Sequence, residues 1–175
     1  MLLALVAISR GSELSLLNLS FLEKLSNKYV FWLNKTVKHS KLGRVPPPVE
    51  IFRFHDRVKL CPVTTLEAYI VMSEGWRKGE SQLLLSHRNP HKAVCKSSIA
   101  RWLKQMLHMA GIDTNIFQAH SIRGAASSKA GVRGLSVPNI LARGNWSNES
   151  TWQRFYHREV GKTTAESFQE KILKL

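Results

Sequence analysis

The stretch GNWSNESTWQRFYHRE, residues 144–159, places two Trp, one Phe and one Tyr within sixteen residues and surrounds them with Arg and His. Trp152, Phe155 and Tyr156 follow one another at i, i+3 and i+4, which predicts a helix with one apolar stripe facing a core. Taken alone, this pattern favours Tyr156 as a core aromatic over Tyr156 as a chemical group. The rest of the chain has to decide between the two interpretations.

The charge of the chain points to a polyanionic partner. Twenty-six Lys and Arg stand against twelve Asp and Glu, so the formal net charge is +14. Nucleic acid suits such a surplus, because each phosphate that a cation neutralises releases counterions. The cations are mixed with aromatic residues and His along the whole chain. A merely solvated basic surface is therefore the weaker alternative.

Length and composition predict a folded protein with one domain over residues 1–175. Hydrophobic residues make up 43% of the chain, which is enough for a substantial core. Cys61 and Cys95 have no metal-type spacing and are too few for a disulfide framework, so we expect no metal, no cofactor and a reducing compartment.

The amino-terminal segment MLLALVAIS is apolar but has only nine residues and no basic stretch before it. It is too short for a membrane span and unlike a signal peptide, so a buried helix is the better interpretation. We expect no membrane partner, no secretion, and a location in the nucleus, or in the cytoplasm or nucleoid. Because the chain starts inside this segment, we also expect it to be a fragment of a longer protein.

The order of elements predicts an α+β fold that is mainly helical and has a small antiparallel sheet. A basic hairpin loop at 35–48 is expected to join two strands. Ser residues are expected to cap the helices near 97 and 136, Thr64 or Thr65 the helix near 62, and Ser147 or Asn148 the aromatic helix. Helices are predicted over 1–8, 62–76, 97–111, 119–131, 136–144 and the aromatic stretch, a helical or turn segment over 12–19, and strands over 28–34, 49–54 and 82–86.

Four residues are candidates for phosphate chemistry. His120 and Arg123 are three residues apart, so on a helix both side chains can meet one ligand. A guanidinium grips two phosphate oxygens while an imidazole moves a proton. Arg10 follows an apolar run and precedes Glu13, and either ends a helix favourably or forms an oriented phosphate clamp. Lys35 lies at the base of the basic loop, where a lysine is either solvated or turned into a cleft.

Taken together and in this order, these motifs resemble the catalytic domain of the tyrosine recombinase, or phage integrase, family. The spacings of ten residues from Trp146 to Tyr156 and thirty-three from Arg123 to Tyr156 add to the resemblance. The phrases HSIRGAASSKAG and NWSNESTWQRFYHRE look most similar to recombinases of DIRS-type and Ngaro-type retrotransposons and of Crypton elements. The motifs are Arg10 in RGSEL, Lys35 in a hairpin, His120 and Arg123 in HSIR, Trp146 in NWS, and Tyr156 in QRFYHR.

The resemblance implies a DNA recombinase or integrase in which Tyr156 attacks a scissile phosphate to give a 3′-phosphotyrosine. It implies that Arg10 and Arg123 clamp the phosphoryl oxygens and that Trp146 donates an indole N–H where many relatives carry His. Lys35, or Lys38 nearby, would protonate the leaving oxygen, and His120 would assist proton transfer at Tyr156. The expected DNA-contacting residues are Lys38, Lys41, Arg44, Arg101, Arg154 and Arg158.

The resemblance also implies double-stranded DNA as the partner and self-association on DNA, for which the segment 162–175 is a candidate docking helix or a frayed terminus. The family's amino-terminal DNA-clamping domain has no counterpart in residues 1–175. His157 is an alternative base. The alternative functions are a catalytically inactive, element-derived DNA-binding protein, a basic RNA-binding domain, and a strand transferase like type IB topoisomerase.

Overall fold

The computed structural model describes residues 1–34 and 47–157. The predicted α+β class is confirmed, because the described part of the chain is mainly helical and carries one small antiparallel sheet. The helices are α1 (Leu2–Ala7), α2 (Gly11–Leu14), α3 (Pro62–Arg77), α4 (Lys96–Met109), α5 (Ser121–Val132), α6 (Val137–Arg143) and α7 (Glu149–Phe155), with 3-10 turns at Leu19–Phe21 and Val58–Leu60. The strands are β1 (Leu22–Lys24), β2 (Lys28–Phe31) and β3 (Val49–Phe52).

The sheet has the order β1-β2-β3, and both pairings are antiparallel. Tyr29 pairs with Ile51 in the β2–β3 register. Ile51 and Phe31 are fully buried, as aromatic and β-branched residues on a covered sheet face are expected to be. The predicted strands at 28–34 and 49–54 are thus present in shortened form. Most of the predicted basic loop, residues 35–46, lies outside the described residues.

Two hydrophobic clusters stabilise the part of the chain that the structure describes. The larger one joins α1, α2, α3 and α4 to the sheet, with Val63, Leu83 and Ile99 almost fully buried in it. The smaller one consists of Ile8, Ile140, Trp146 and Trp152, and Tyr156 packs against it. The smaller cluster therefore seats the carboxyl-terminal aromatic segment beside α5 and α6.

The helix ends agree only in part with the predicted caps. Asn148 caps α7 and accepts a hydrogen bond from the Ser150 N–H at 2.8 Å. Ser136 occupies the N-cap position of α6, but its side chain makes no capping hydrogen bond. Cys61 rather than a Thr caps α3, with its sulfur accepting from the Thr64 N–H, and Cys95 rather than a Ser precedes α4. α4 is followed by Gly111 at φ +74°, which is the predicted glycine stop.

The predicted strand at 82–86 is wrong, because this segment forms only isolated bridges, from Gln82 to Asn18 and from Leu85 to Ala93. The physical reason is the Arg77 guanidinium, which donates to the Gln82 carbonyl at 2.7 Å and to the Leu83 carbonyl at 3.0 Å. These carbonyls are therefore not used by a neighbouring strand.

The helical or turn segment predicted over 12–19 is confirmed, because it contains the helical turn α2. The short strand β1 further along was not predicted, because it is too polar to show a strand pattern. The predicted apolar stripe at the aromatic helix is incomplete. Trp152 is 3% exposed, but Phe155 is 58% exposed and Tyr156 lies just past the last helical residue.

Candidate active site

An open groove of about 750 Å³ runs between α4, the start of α2, the start of α5 and the end of α7. Among the described residues, its lining contains no Asp or Glu. The cationic, imidazole and phenol side chains that line it are Arg10, Lys96, Arg101, Lys104, His120, Arg123 and Tyr156. Five permanent or nearly permanent cations without a lining carboxylate make the groove suited to a polyanion.

Arg10 is held at the groove by Glu13. It occupies the N-cap position of α2, and its backbone N–H donates to Glu13 Oε2 at 2.8 Å. Its guanidinium Nη1 also pairs with Glu13 Oε1 at 2.6 Å. The arrangement fixes a guanidinium on a short helix whose Leu14 is buried in the core. This contact fits the clamp interpretation of Arg10 and leaves its role a prediction.

Arg123 is the most unusual charged residue of the groove, because its side chain is buried and only partly hydrogen-bonded. It is 4% exposed, and its Nη2 donates to the Gly144 carbonyl. Its Nε and Nη1 are buried and have no hydrogen-bond partner among the described residues. Burial, followed by the nearby charge of Arg10, lowers the pKa of Arg123 to about 10, so the group is still a cation at neutral pH.

Trp146 packs against Arg123 and Tyr156. The Arg123 guanidinium carbon lies 4.0 Å from the centroid of the Trp146 ring, which is close enough for a cation–π interaction. The Trp146 and Tyr156 ring centroids are 4.9 Å apart with a tilt of 57°. The indole Nε1 is buried and has no hydrogen-bond partner in the described part of the chain. Trp146 thus contacts the site through its ring, while its N–H donates to no residue in 1–34 or 47–157.

Tyr156 lies at the C-cap of α7 and lines the groove. Its backbone N–H donates to the Trp152 carbonyl at 2.8 Å, and its ring centroid lies 5.1 Å from the Arg123 guanidinium carbon. The next residue, His157, stacks on the Trp152 ring at 4.9 Å. His157 is not among the residues that line the groove, so this structure gives no support to His157 as the base.

The sequence predicted His120 inside the helix. In the structure, His120 instead lies at the N-cap position of α5. It is exposed and lines the same groove as Arg123 and Tyr156. The His120 and Arg123 side chains therefore both reach one groove, although the helix begins later than predicted.

Of the remaining predicted residues, two lie in the described part of the chain and five lie outside it. Arg101 lines the groove, whereas Arg154 is exposed and lies over the neighbouring Phe155 ring at 5.2 Å. Five predicted residues lie outside the described residues, namely Lys35, Lys38, Lys41, Arg44 and Arg158, and so does the segment 162–175.

Sequence reasoning missed Lys96 and Lys104, which belong to the wall of the groove. They are eight residues apart in α4, so both lie on one side of that helix, together with Ala100. The apolar stripe of α4 was recognised, and its cationic side could have been found from the same spacing.

Within residues 1–34 and 47–157, no group of three or more His, Cys, Asp or Glu could hold a metal ion. In the same residues, no helix has both the length and the apolar character needed to cross a membrane.

The fold is similar to that of solved recombinases. XerA recombinase matches with a TM-score of 0.65 and 17% identity, covering 96% of this chain and 54% of that one. XerH site-specific recombinase bound to difH substrate, a pre-cleavage complex, matches with a TM-score of 0.66 and 11% identity, covering 98% of this chain and 45% of that one. XerH site-specific recombinase bound to palindromic difH substrate, a post-cleavage complex, matches with a TM-score of 0.63 and 11% identity, covering 98% of this chain and 44% of that one.

The chain therefore has the fold of a recombinase catalytic domain, as these three structures show it. It spans about half the length of each of them. No protein-family model matches the sequence, and no curated protein matches it significantly.

Proposed function

We propose that this chain is the catalytic part of a tyrosine recombinase or integrase, which cuts and rejoins DNA through a 3′-phosphotyrosine intermediate. One observation carries the proposal. Arg123 is a buried cation with two side-chain nitrogens, Nε and Nη1, that have no hydrogen-bond partner among the described residues, and its guanidinium carbon lies 5.1 Å from the centroid of the Tyr156 ring in a cationic groove. A buried, unpaired donor is costly, so the site favours a ligand that supplies acceptor oxygens. A phosphodiester supplies them.

In the proposed reaction, the Tyr156 oxygen attacks the scissile phosphorus and forms a new P–O bond as the bond to the 5′-oxygen breaks. The phenol proton passes to a base, for which His120 is the candidate, and the 5′-oxygen takes up a proton from Lys35 or Lys38. Because the phosphotyrosine keeps the energy of the broken bond, the reverse attack by a 5′-hydroxyl rejoins the strand without nucleotide hydrolysis. The assignment of the lysines comes from the family resemblance alone.

Arg10 and Arg123 would stabilise the negative charge that develops on the phosphoryl oxygens. Both guanidinium groups line the groove and both are held in advance, one by Glu13 and the other by Gly144 and Trp146. Such preorganised donors contribute most when water is excluded. Trp146 would add its indole N–H, which is already buried and unpaired.

Double-stranded DNA is the proposed partner. Lys96, Arg101 and Lys104 extend the cationic lining along α4. These cations suit successive phosphates of a DNA backbone. Self-association on DNA, a mobile-element origin, and a location in the nucleus or in the cytoplasm or nucleoid are part of the same proposal.

A catalytically inactive DNA-binding protein is the second candidate, because Tyr156 packs against the smaller hydrophobic cluster and the Trp146 ring, as an aromatic residue with a purely structural role would. A covalent-trapping assay separates the two. The protein is incubated with a nicked duplex whose cleaved end diffuses away, without added metal or nucleotide, and covalent adducts are counted on a denaturing gel. Recombinase activity predicts an adduct that is lost in Tyr156→Phe. Binding without any adduct at saturating DNA would favour the inactive protein.

A second arm of the assay addresses the topoisomerase alternative. A second duplex with a free 5′-hydroxyl is added, and joining of its strand to the cleaved one is measured. A recombinase is expected to exchange strands between the two duplexes. Rejoining confined to the original duplex would instead indicate a topoisomerase-like strand transferase.

A further inference from the structure

The main chain of Tyr156 lies against the surface of α5, the helix that carries Arg123. A Cβ atom added at Gly124 would lie 3.1 Å from the Tyr156 carbonyl oxygen and 3.6 Å from its Cα. Gly124 is therefore a position where the absence of a side chain permits close approach of another segment.

Ser128 lies one helical turn after Gly124, on the same side of α5. Its hydroxyl donates to the Tyr156 carbonyl at 3.2 Å. Ser128 is only 1% exposed, so this hydrogen bond is shielded from water. Gly124 and Ser128 thus meet the same carbonyl group, one by allowing contact and the other by hydrogen bonding.

Tyr156 needs such support, because α7 ends one residue before it. Its own backbone has φ −126° and ψ −26°, outside the helical range, so the helix alone does not define its direction. A residue at a helix end is also where a short helix frays first. The contacts of the Tyr156 main chain with Gly124 and Ser128 of α5 are made at this helix end.

We propose that Gly124 and Ser128 are positioning residues for Tyr156. They hold its main chain at a fixed distance from the helix that carries Arg123, so that the phenol oxygen and the phosphate-binding guanidinium keep one relative placement. The inference rests on the proposed role of Tyr156 as nucleophile and extends it to two residues that do not contact the DNA phosphate themselves.

Gly124→Ala and Ser128→Ala are the test variants. At saturating DNA, each is expected to form the covalent adduct about 10- to 100-fold more slowly, because displacing a reacting group by about 1 Å can slow a reaction on the order of 100-fold. The dissociation constant for DNA should stay within about twofold, since neither residue contributes charge to the groove.

Matched controls lie in the same helix. Gly131→Ala makes the same change where the new Cβ would meet only the Ile140 side chain at an ordinary 3.6 Å. Ser127→Ala removes an equally buried hydroxyl that bonds to the Gly124 carbonyl within α5. Both controls are expected to cleave at the wild-type rate. Equal slowing of controls and test variants would reduce the effect to general destabilisation of α5 and overturn the proposal.

A second readout does not need activity. The backbone N–H groups of Tyr156 and His157 both donate to the Trp152 carbonyl, so hydrogen exchange of a peptide covering 149–157 reports how firmly this segment is held. Exchange should be several-fold faster in the two test variants than in the two controls. Unchanged exchange overturns the positioning role whether or not the wild type cleaves DNA.

The two readouts keep failure of this inference apart from failure of the proposed function. An active wild type with unaffected test variants overturns the positioning role and leaves the recombinase proposal intact. An inactive wild type overturns the recombinase proposal, and faster exchange in the test variants would then still show that Gly124 and Ser128 hold Tyr156.

Discussion

The guanidinium carbon of Arg123 lies 4.0 Å from the centroid of the Trp146 ring, so the indole covers a buried cation that lines the groove. A desolvated cation–π contact of this kind is worth about 2 kcal/mol. The same ring touches Tyr156 at 4.9 Å between centroids. Trp146 therefore connects the proposed phosphate-binding residue to the proposed nucleophile.

Substitutions at Trp146 distinguish the contribution of its ring from that of its N–H. Trp146→Ala should lower stability by about 3–5 kcal/mol through loss of a buried aromatic side chain. Trp146→His should retain more cleavage than Trp146→Ala, because the imidazole restores a donor for the phosphate. Trp146→Phe keeps an apolar ring without the N–H. Cleavage is measured per folded protein. If the Trp146→Phe variant cleaves as well as or better than the Trp146→His variant, Trp146 serves only for packing.

Gly144 is expected to tolerate no side chain. A Cβ at this position would overlap the Trp146 ring, so Gly144→Ala should lower the free energy of unfolding by about 1–3 kcal/mol and shift Trp146 away from Arg123. Gly75→Ala is the matched control, since a Cβ there meets nothing within 4 Å and lies inside α3. The control should stabilise by about 0.5–1 kcal/mol. Chemical denaturation measures both, and equal stabilities would contradict the packing assigned to Gly144.

Binding to duplex DNA should weaken steeply as salt rises and vary little with DNA sequence, because phosphate contacts dominate in a groove lined by cations. Lys104→Gln should reduce the slope of log Kd against log salt by about one. Lys78→Gln, at the exposed end of α3 and outside the groove lining, should leave the slope unchanged. A flat salt response of the wild type would remove the DNA assignment.

The two cysteines should react very differently with iodoacetamide. Hydrogen bonds from Ser97 and then Ser98 lower the pKa of the exposed Cys95 to about 6, so its thiolate is present at neutral pH. Its alkylation rate should rise with pH and level off above about pH 7. Ser97→Ala should move the midpoint of this profile upwards. Buried Cys61 should stay largely unmodified in the folded protein, and mass spectrometry after alkylation distinguishes the two sites.

Helical periodicity predicted α4 well, because its core-facing residues Ile99, Leu103 and Leu107 are buried as the spacing requires. The strand prediction failed at 82–86, where the Arg77 side chain occupies carbonyls that a neighbouring strand would need. A side chain that captures a backbone group across five or six residues leaves no local signal in the sequence. The strand β1 was missed for a related reason, because its partner β2 defines it rather than its own composition.

The groove could be predicted only through the order of its motifs. Nothing local in RGSEL or HSIR shows that Arg10 and Arg123 line one groove, since the two residues lie far apart in the sequence. The family resemblance supplied that association. The contacts that shape the site, such as the Gly144 carbonyl bound by Arg123, depend on tertiary packing and were not predicted.

The most direct measurement is the location of the covalent adduct. Wild-type protein is trapped on the nicked duplex, digested with protease and nuclease, and the nucleotide-bearing peptide is identified by mass spectrometry. We expect the phosphotyrosine at Tyr156, none at Tyr29 or Tyr69, and none in a Tyr156→Phe protein that folds and binds DNA as the wild type does. Arg123→Lys, which keeps the charge but loses the bidentate fork, should also bind and fail to form the adduct. An adduct on another residue, or one that persists in Tyr156→Phe, would contradict the account and return Tyr156 to the role of a packing residue.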